Sequence, residues 1–401
     1  MEPLEFVRER FARYYETVDV EPPACMEQRE FALMPLGKGG MWRHIGFRGV
    51  DEMRGAFARN VPGAVYYSTA YYKEPGARTM AEKGWLGADL IFDLDADHIE
   101  GAEGLSYAEM MARVKDEFIK LLEGYILSDF GFDEKCVRVA FSGGRGYHAH
   151  VTDPRVRKLG SHERREIVDY IGATGLDLAI IFPKEAFGMK GRGRFARTTY
   201  KRTWPRDCGG WSRKLRDEVS ALLNEMEAMD RESAIKFLKA AEGIGDKGAE
   251  RIYDDLFKGQ AGARGMDKIL NEGSIEAFSE ERHLTSFLGL VEDRARVRLT
   301  GEADEPVTSD VKRLIRLPGS LHAKTGLTAM LLKIDALKGF DPLRDAVPPT
   351  LSGEGVKLVG LADDDVKVKG FHVKVGKGRA VEAPEYAALF LVCRRLCAPS
   401  S

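Results

Sequence analysis

LIFDLDADHI, residues 90–99, runs from apolar straight into acidic and back toward apolar. In an extended strand, residues two apart face the same side. Asp93 and Asp95 therefore project together, while Leu94 points the other way into a core. Two carboxylates that close repel each other. A divalent cation between them makes the arrangement favourable, and hard oxygen ligands suit Mg²⁺ or Mn²⁺. Asp97 extends the row by one step and His98 follows it. The preceding Leu90, Ile91 and Phe92 fix the strand end and hold the acids in place. A strand that simply runs out into a polar turn is the competing reading, and the D-x-D pattern alone leaves it open.

Working outward, a helix is expected over residues 1–18. Strand-like runs follow at MWRHIGF (41–47), AVYYSTAYY (64–72), ADLIFDLDA (88–96) and CVRVAFS (136–142). The helical pattern SYAEMMARVKDEFIKLLEGYIL lies between the last two, with Ser106 as N-cap and Glu109 three residues on. FSGGRGYHAHV then reads as a strand, a glycine-rich turn and a second strand. From about 161 to 290 the periodicity becomes helical: Leu215, Val219, Leu222, Leu223 and Met226 form one apolar stripe. Beyond it, DEPVTSDVKRLIRLPGSLHAKTGLTAMLL returns to strand, turn and strand, and the tail reads as short strands closing on a helix. The expected fold is α/β (α+β). Mixed sheet and helices span 1–160 and 291–401, interrupted by a mostly helical subdomain over 161–290.

The chain has 401 residues, 44% of them hydrophobic, enough for one large core or two moderate ones. Lys and Arg total 61 against 63 Asp and Glu, so the net charge of -2 exerts no global pull toward nucleic acid or membrane, and any anion site must be local. No stretch approaches the roughly 18 apolar residues of a membrane span, and the N-terminal segment is charged and amphipathic, unlike a signal peptide. The five cysteines show no C-x-x-C and no zinc-type pairing with histidine; the spacing of Cys393 and Cys397 in YAALFLVCRRLC is that of one helical turn, and both are expected to be packing residues rather than ligands or a disulfide. A reducing, cytoplasmic location is expected.

Two glycine turns carry cations. SGGRGYHAH (142–150) holds Gly143, Arg145 and His148, and Arg145 with His148 can grip phosphate oxygens while backbone N–H groups cradle them. It is no P-loop, since G-x-x-x-x-G-K-[ST] is absent. RLIRLPGSLHAKTG (313–326) repeats the chemistry with Arg316, His322 and Lys324 around a Pro-Gly turn, and EADEPVTSD just upstream offers a third carboxylate in Asp304. Each feature alone also fits a solvated loop. Together they are what a metal-bound triphosphate requires: carboxylates for the ion, cations for the phosphates.

DLDADH, SGGRGYHAHV and RLIRLPGSLHAKTG, in this order, resemble the catalytic small subunit of archaeal and eukaryotic DNA primase; REFALMPLGKGGMWRHIGF and STAYYKEP are also similar to that family. The resemblance implies a primase-type catalytic module interrupted by a helical subdomain. It also implies synthesis of RNA primers from nucleoside triphosphates on single-stranded DNA by two-metal nucleotidyl transfer. Carried over by motif, Asp93, Asp95 and Asp304 are the metal carboxylates. Ser142, Gly143, Arg145 and His148 are triphosphate contacts from the first turn, Arg316 and His322 from the second. Glu30 and Arg43 match further nucleotide-site positions. The implied cofactor is Mg²⁺ or Mn²⁺, and the implied partner is a large primase subunit, forming a heterodimer. Many archaeal relatives carry a Cys/His zinc knuckle soon after the acidic strand; here IEGAEGLSYAEM stands in that place, and no zinc is expected.

FGMKGRGRFARTTYKRTWPR (187–206) contains seven Lys or Arg, no acid, and four aromatic residues. Cations interleaved with rings suit single-stranded nucleic acid, so Arg192, Arg194 and Arg197 are candidate template contacts. FLKAAEGIGDKGAERIYDDL (237–256) follows helix rather than strand, which argues against a dinucleotide site and leaves a helix-hairpin-helix element that contacts DNA phosphate and a purely structural helical turn as equal readings. Two rivals remain. One is a related primase-polymerase of repair or plasmid replication that uses the same catalytic module; the other is a catalytically silent nucleic-acid-binding scaffold.

Overall fold

The computed structural model describes residues 1–98, 101, 104–190, 197–202, 204, 209–258 and 263–400. The chain opens on helix α1 (Pro3–Thr17), whose Val7, Phe11, Tyr14 and Tyr15 are buried at helical spacing. Strands β1 (Phe31–Pro35) and β2 (Trp42–Ile45), helix α2 (Val50–Asn60) and strand β3 (Pro62–Ser68) follow. Next come β4 (Ala70–Tyr72), the short helix α3 (Met80–Lys83), β5 (Trp85–Ala88) and the acidic strand β6 (Leu90–Asp95). Helix α4 (Tyr107–Leu121) starts on the expected capping box: Ser106 and Glu109 each accept from the other's backbone N–H. Strands β7 (Val137–Phe141) and β8 (Gly146–Val151) and helix α5 (Ser161–Ile171) complete this part.

AVYYSTAYY is two strands rather than one, because Thr69 breaks it and the halves join different sheets. The buried guanidinium of Arg29 makes the break tolerable: it donates to the carbonyls of Ser68 (3.0 Å) and Thr69 (2.7 Å) and pairs with Asp89 (2.6 Å).

The second unit carries α6 (Leu178–Ile181), the hairpin β9 (Lys184–Lys190) with β10 (Arg197–Arg202), and helices α7 (Gly210–Glu227), α8 (Arg231–Lys239), α9 (Asp246–Tyr253), α10 (Gly265–Glu272) and α11 (Glu281–Leu299). The compact units are Met1–Ile171 with Gly301–Ser401, and Gly172–Thr300. Both boundaries fall later than the expected 161 and 290. Helix α5 belongs to the first unit because its buried Arg164 donates to the carbonyls of Ala88 and Asp89. Helix α11 runs past 290 because Arg294 and Arg298 both reach the buried Glu218 of α7.

The chain then returns to the first unit with α12 (Glu305–Ser309), β11 (Leu314–Arg316), β12 (Met330–Leu332), α13 (Pro342–Asp345), β13 (Gly355–Gly360), β14 (Asp364–Val368), β15 (Phe371–Val375), β16 (Ala380–Pro384), α14 (Glu385–Cys393) and β17 (Cys397–Pro399). Two four-stranded antiparallel sheets dominate it, ordered β11-β3-β1-β2 and β12-β7-β8-β6. The expected strand, turn and strand of residues 304–332 are present as β11, the connecting turn and β12, with two differences. The first residues form α12, and β11 and β12 pair with β3 and β7 instead of with each other. The segment between them thus ties one sheet to the other. Among the described residues, no helix is long and apolar enough to cross a membrane.

Candidate active site

Strand β6 pairs with β8 so that Asp93 opposes His148, Leu94 opposes Tyr147 and Asp95 opposes Gly146. Leu94 and Tyr147 are fully buried, which fixes the acids on the other face. His148 Nε2 lies 3.2 Å from Asp93 Oδ1. Asp95 Oδ1 accepts from the Asp97 N–H (3.3 Å) and lies 3.6 Å from Arg145, which also bonds Asp97. Burial pushes the Asp95 carboxyl above its ordinary range, and the like charges of Asp93 and Asp97 add to this against the pull of Arg145 and the Asp97 N–H.

β6 is the edge strand of its sheet. Asp304 approaches that edge: its backbone N–H donates to the Asp93 carbonyl at 3.0 Å. Its side chain caps α12, accepting from the Val307 N–H at 3.2 Å. The Asp304 backbone therefore adjoins the acidic strand, while its carboxylate caps α12 and is not among the residues that line the cavity beside Asp93 and Asp95. Among the described residues, no three His, Cys, Asp or Glu side chains are gathered as a metal-binding group.

The first turn closes on itself. Ser142 Oγ accepts from the N–H groups of Gly144 and Gly146, both at 3.2 Å, so those two amides point inward; the expected backbone cradle for phosphate is not formed by them. Gly143 has φ +77°, the left-handed region that suits glycine. A Cβ on Gly144 would lie 2.9 Å from His322 Nε2, so the two turns touch. Thr325 Oγ1 donates to the Gly143 carbonyl and Tyr107 OH to that of Gly144, both at 2.5 Å.

From the second turn, Arg316 stacks over Tyr66 with its guanidinium 4.5 Å from the ring centroid and donates to the Tyr66 hydroxyl. Its Nη1 is buried without a protein acceptor. Burial lowers its pKa. His322 is pushed down to about 3, first by burial, then by Arg316, Lys324 and Arg145. It is therefore neutral. Its Nδ1 accepts from the Lys324 N–H at 3.3 Å, which places the imidazole hydrogen on Nε2.

Asp93, Asp95, Ser142, Arg145, His148, Arg316 and His322 line one cavity of about 380 Å³. Gly144 rather than the expected Gly143 joins them. Tyr66, Arg313 and Arg394 also line it and were missed from sequence. Arg313 sits inside the motif already quoted and was legible there; Arg394 is distant in sequence and carries no local signal.

Glu30 and Arg43 are not among the lining residues. Glu30 is fully buried, and its carboxylate receives Lys83 Nζ (2.8 Å), Arg43 Nε (3.1 Å) and the His44 N–H (3.1 Å). Burial alone would raise its pKa; these donors outweigh that and hold it below the ordinary value. This places Glu30 in an interior ion pair that anchors β2. Arg192 and Arg194 lie outside the described residues, and Arg197 opens β10 opposite Lys190. The 237–256 segment is indeed a helical hairpin, α8 and α9 joined through Gly243 at φ +78° and the buried Ile244.

Fold and cavity define an α+β protein that sets paired strand carboxylates against cations framed by two glycine turns, an arrangement suited to polyanionic ligands. The profile of the family described as DNA primase small subunit matches residues 92–334. DNA primase small subunit PriS of Methanococcoides burtonii is 41% identical over 392 residues, covering 97% of this chain and 96% of the relative. PriS of Methanothrix thermoacetophila is 40% identical over 394 residues, covering 97% of each. PriS of Halorubrum lacusprofundi is 38% identical over 398 residues, with 97% and 96% covered. The chain belongs to the DNA primase small subunit family.

Proposed function

We propose that this protein is the catalytic subunit of a DNA primase, building short RNA primers from nucleoside triphosphates on single-stranded DNA by nucleotidyl transfer. The observation that carries the reading is the single cavity in which Asp93 and Asp95 share a wall with Arg145, Arg316 and His322. Asp93 and Asp95 fit a hard divalent cation. They are oxygen donors on one strand face, and Asp95, raised first by burial and then by the like charges of Asp93 and Asp97, is a carboxylate whose ionised form a cation would favour. Asp304, at the edge of the same strand, would complete the set. Mg²⁺ or Mn²⁺ held there would supply Lewis-acid stabilisation of the attacking and leaving oxygens of phosphoryl transfer.

The chain's own residues bind and orient the substrate. Arg145, Arg316 and Lys324 supply positive charge for the triphosphate, and the buried Arg316 Nη1 is a donor awaiting an acceptor. Neutral His322 offers a hydrogen bond through Nε2–H rather than charge. His148 steadies the Asp93 carboxylate at 3.2 Å. The basic 187–206 segment is proposed to hold template. A large primase subunit is the proposed partner, since the relatives are named as small subunits.

The test is incorporation of labelled nucleotides on unprimed single-stranded DNA with Mg²⁺ or Mn²⁺, comparing the protein with Asp95→Ala. Short products that need Asp95, made from ribonucleotides in preference to deoxyribonucleotides, are expected. Equal synthesis by both proteins would refute the site. No synthesis by either, with and without a large subunit, would favour a binding scaffold.

A further inference from the structure

The cavity is completed from the far end of the chain. Helix α14 packs behind both glycine turns: a Cβ on Gly326 would lie 2.8 Å from Leu389 Cγ and 3.4 Å from Cys393 Sγ, and Phe390 meets Tyr107 edge to face at 5.4 Å. Tyr107 in turn holds the Gly144 carbonyl.

Arg394 ends the helix. Its backbone N–H bonds the Phe390 carbonyl at 2.9 Å, Arg395 takes the left-handed φ of +59°, and the chain reverses into β17, whose Cys397 pairs with Gly360. Arg394 is therefore fixed on both sides, by a buried helix and by a paired strand. Its guanidinium carbon stands 5.2 Å from the Tyr107 ring centroid, within cation–π range. The side chain lines the same cavity as Arg316, His322 and Lys324. Its Nε is buried without an acceptor among the described residues. A guanidinium held over a ring, facing a polar cavity and with no carboxylate partner among the described residues, is prepared for an anionic ligand.

We propose that Arg394 is a substrate-binding residue that grips the terminal phosphates of the incoming nucleoside triphosphate, so that the C-terminal helix is part of the nucleotide site. This rests on the triphosphate reading of the cavity. Residue 394 lies beyond the 92–334 span that the family profile matches. Its neighbours point to the phosphate tail: Arg394 stands over Tyr107, whose hydroxyl holds the Gly144 carbonyl, and Gly144 abuts His322, so Arg394 joins the cations of the two turns proposed to hold the triphosphate.

The experiment measures equilibrium binding of ATP, ADP and AMP, each with Mg²⁺, to the full chain and to Arg394→Met and Arg394→Lys. Thermal melts check the fold. For Arg394→Met, ATP affinity should fall about tenfold or more while AMP affinity holds, and KM for ATP should rise with kcat nearly unchanged. Arg394→Lys keeps charge and stem but loses the planar fork, so its ATP-to-AMP preference should fall by a smaller factor, about threefold. It carries the test should Arg394→Met melt early. Unchanged ATP binding in both variants, or a parallel loss of ATP and AMP binding, would overturn the assignment. A wild-type protein that binds ATP no better than AMP would instead overturn the triphosphate reading, and the role of Arg394 with it.

Discussion

Replacing Lys83 by Met isolates the interior ion pair that supports the sheet beside the cavity. Lys83 and Glu30 are both fully buried, 2.8 Å apart. Lys83 also donates to the Pro75 carbonyl and sits 5.1 Å from the Tyr72 ring centroid. Removing one member of such a pair leaves a buried charge uncompensated and costs about 3–5 kcal/mol. Here Arg43 and the His44 N–H still serve Glu30, so the lower end, about 3 kcal/mol, is expected. Part of that arises at His44, whose left-handed φ of +63° is held by its N–H bond to Glu30. Removing both charges, with Glu30→Gln added, should recover about 2 kcal/mol, because Gln still accepts from Arg43 and His44.

Urea unfolding of the four proteins at pH 7, read from the first transition since two units need not unfold together, measures this. The pH dependence has a definite sign. The folded Glu30 carboxyl lies below its ordinary value of 4.5, so its contribution is fully present above about 4.5 and is lost as pH falls through the folded value. In Lys83→Met the burial cost prevails and Glu30 takes up a proton more readily, so the gap to wild type should narrow on acidification. Additive penalties in the double variant, or a gap that widens toward acid, would refute this account.

Gly144→Ala puts a Cβ 2.9 Å from His322 Nε2; the imidazole must give way, and KM for nucleotide should rise about tenfold, equal to about 1.4 kcal/mol, with an unchanged circular dichroism spectrum. Wild-type kinetics would show that the turns do not need their close approach. His322, held at about 3, should show no imidazole titration by NMR between pH 5 and 8 in the free protein, and an ordinary midpoint near 6.5 would contradict its burial. Because the unfolded chain takes up that proton first, the contribution of His322 to stability should be whole above about pH 6.5 and diminish as pH falls toward 3.

Local pattern carried much of the site. Alternation along LIFDLD placed Asp93 and Asp95 on one face, and the Ser106–Glu109 box and the FSGGRGYHAHV hairpin were legible because each depends on neighbours within a few residues. The residues Arg145, His148, Arg316 and His322 were likewise named from their own turns, and one cavity gathers them.

Long-range pairing was not legible. Nothing local says that β11 and β12 leave each other for β3 and β7, that Thr69 splits a nine-residue strand-like run between two sheets, or that Glu30 meets Lys83 inside the protein instead of facing the cavity. Sequence by itself determined the residue chemistry and the elements whose hydrogen bonds and periodicity are local. Tertiary structure alone decided which carboxylates and cations share the cavity and brought Arg394 to it, because strand partners and buried charges are chosen by burial among segments hundreds of residues apart.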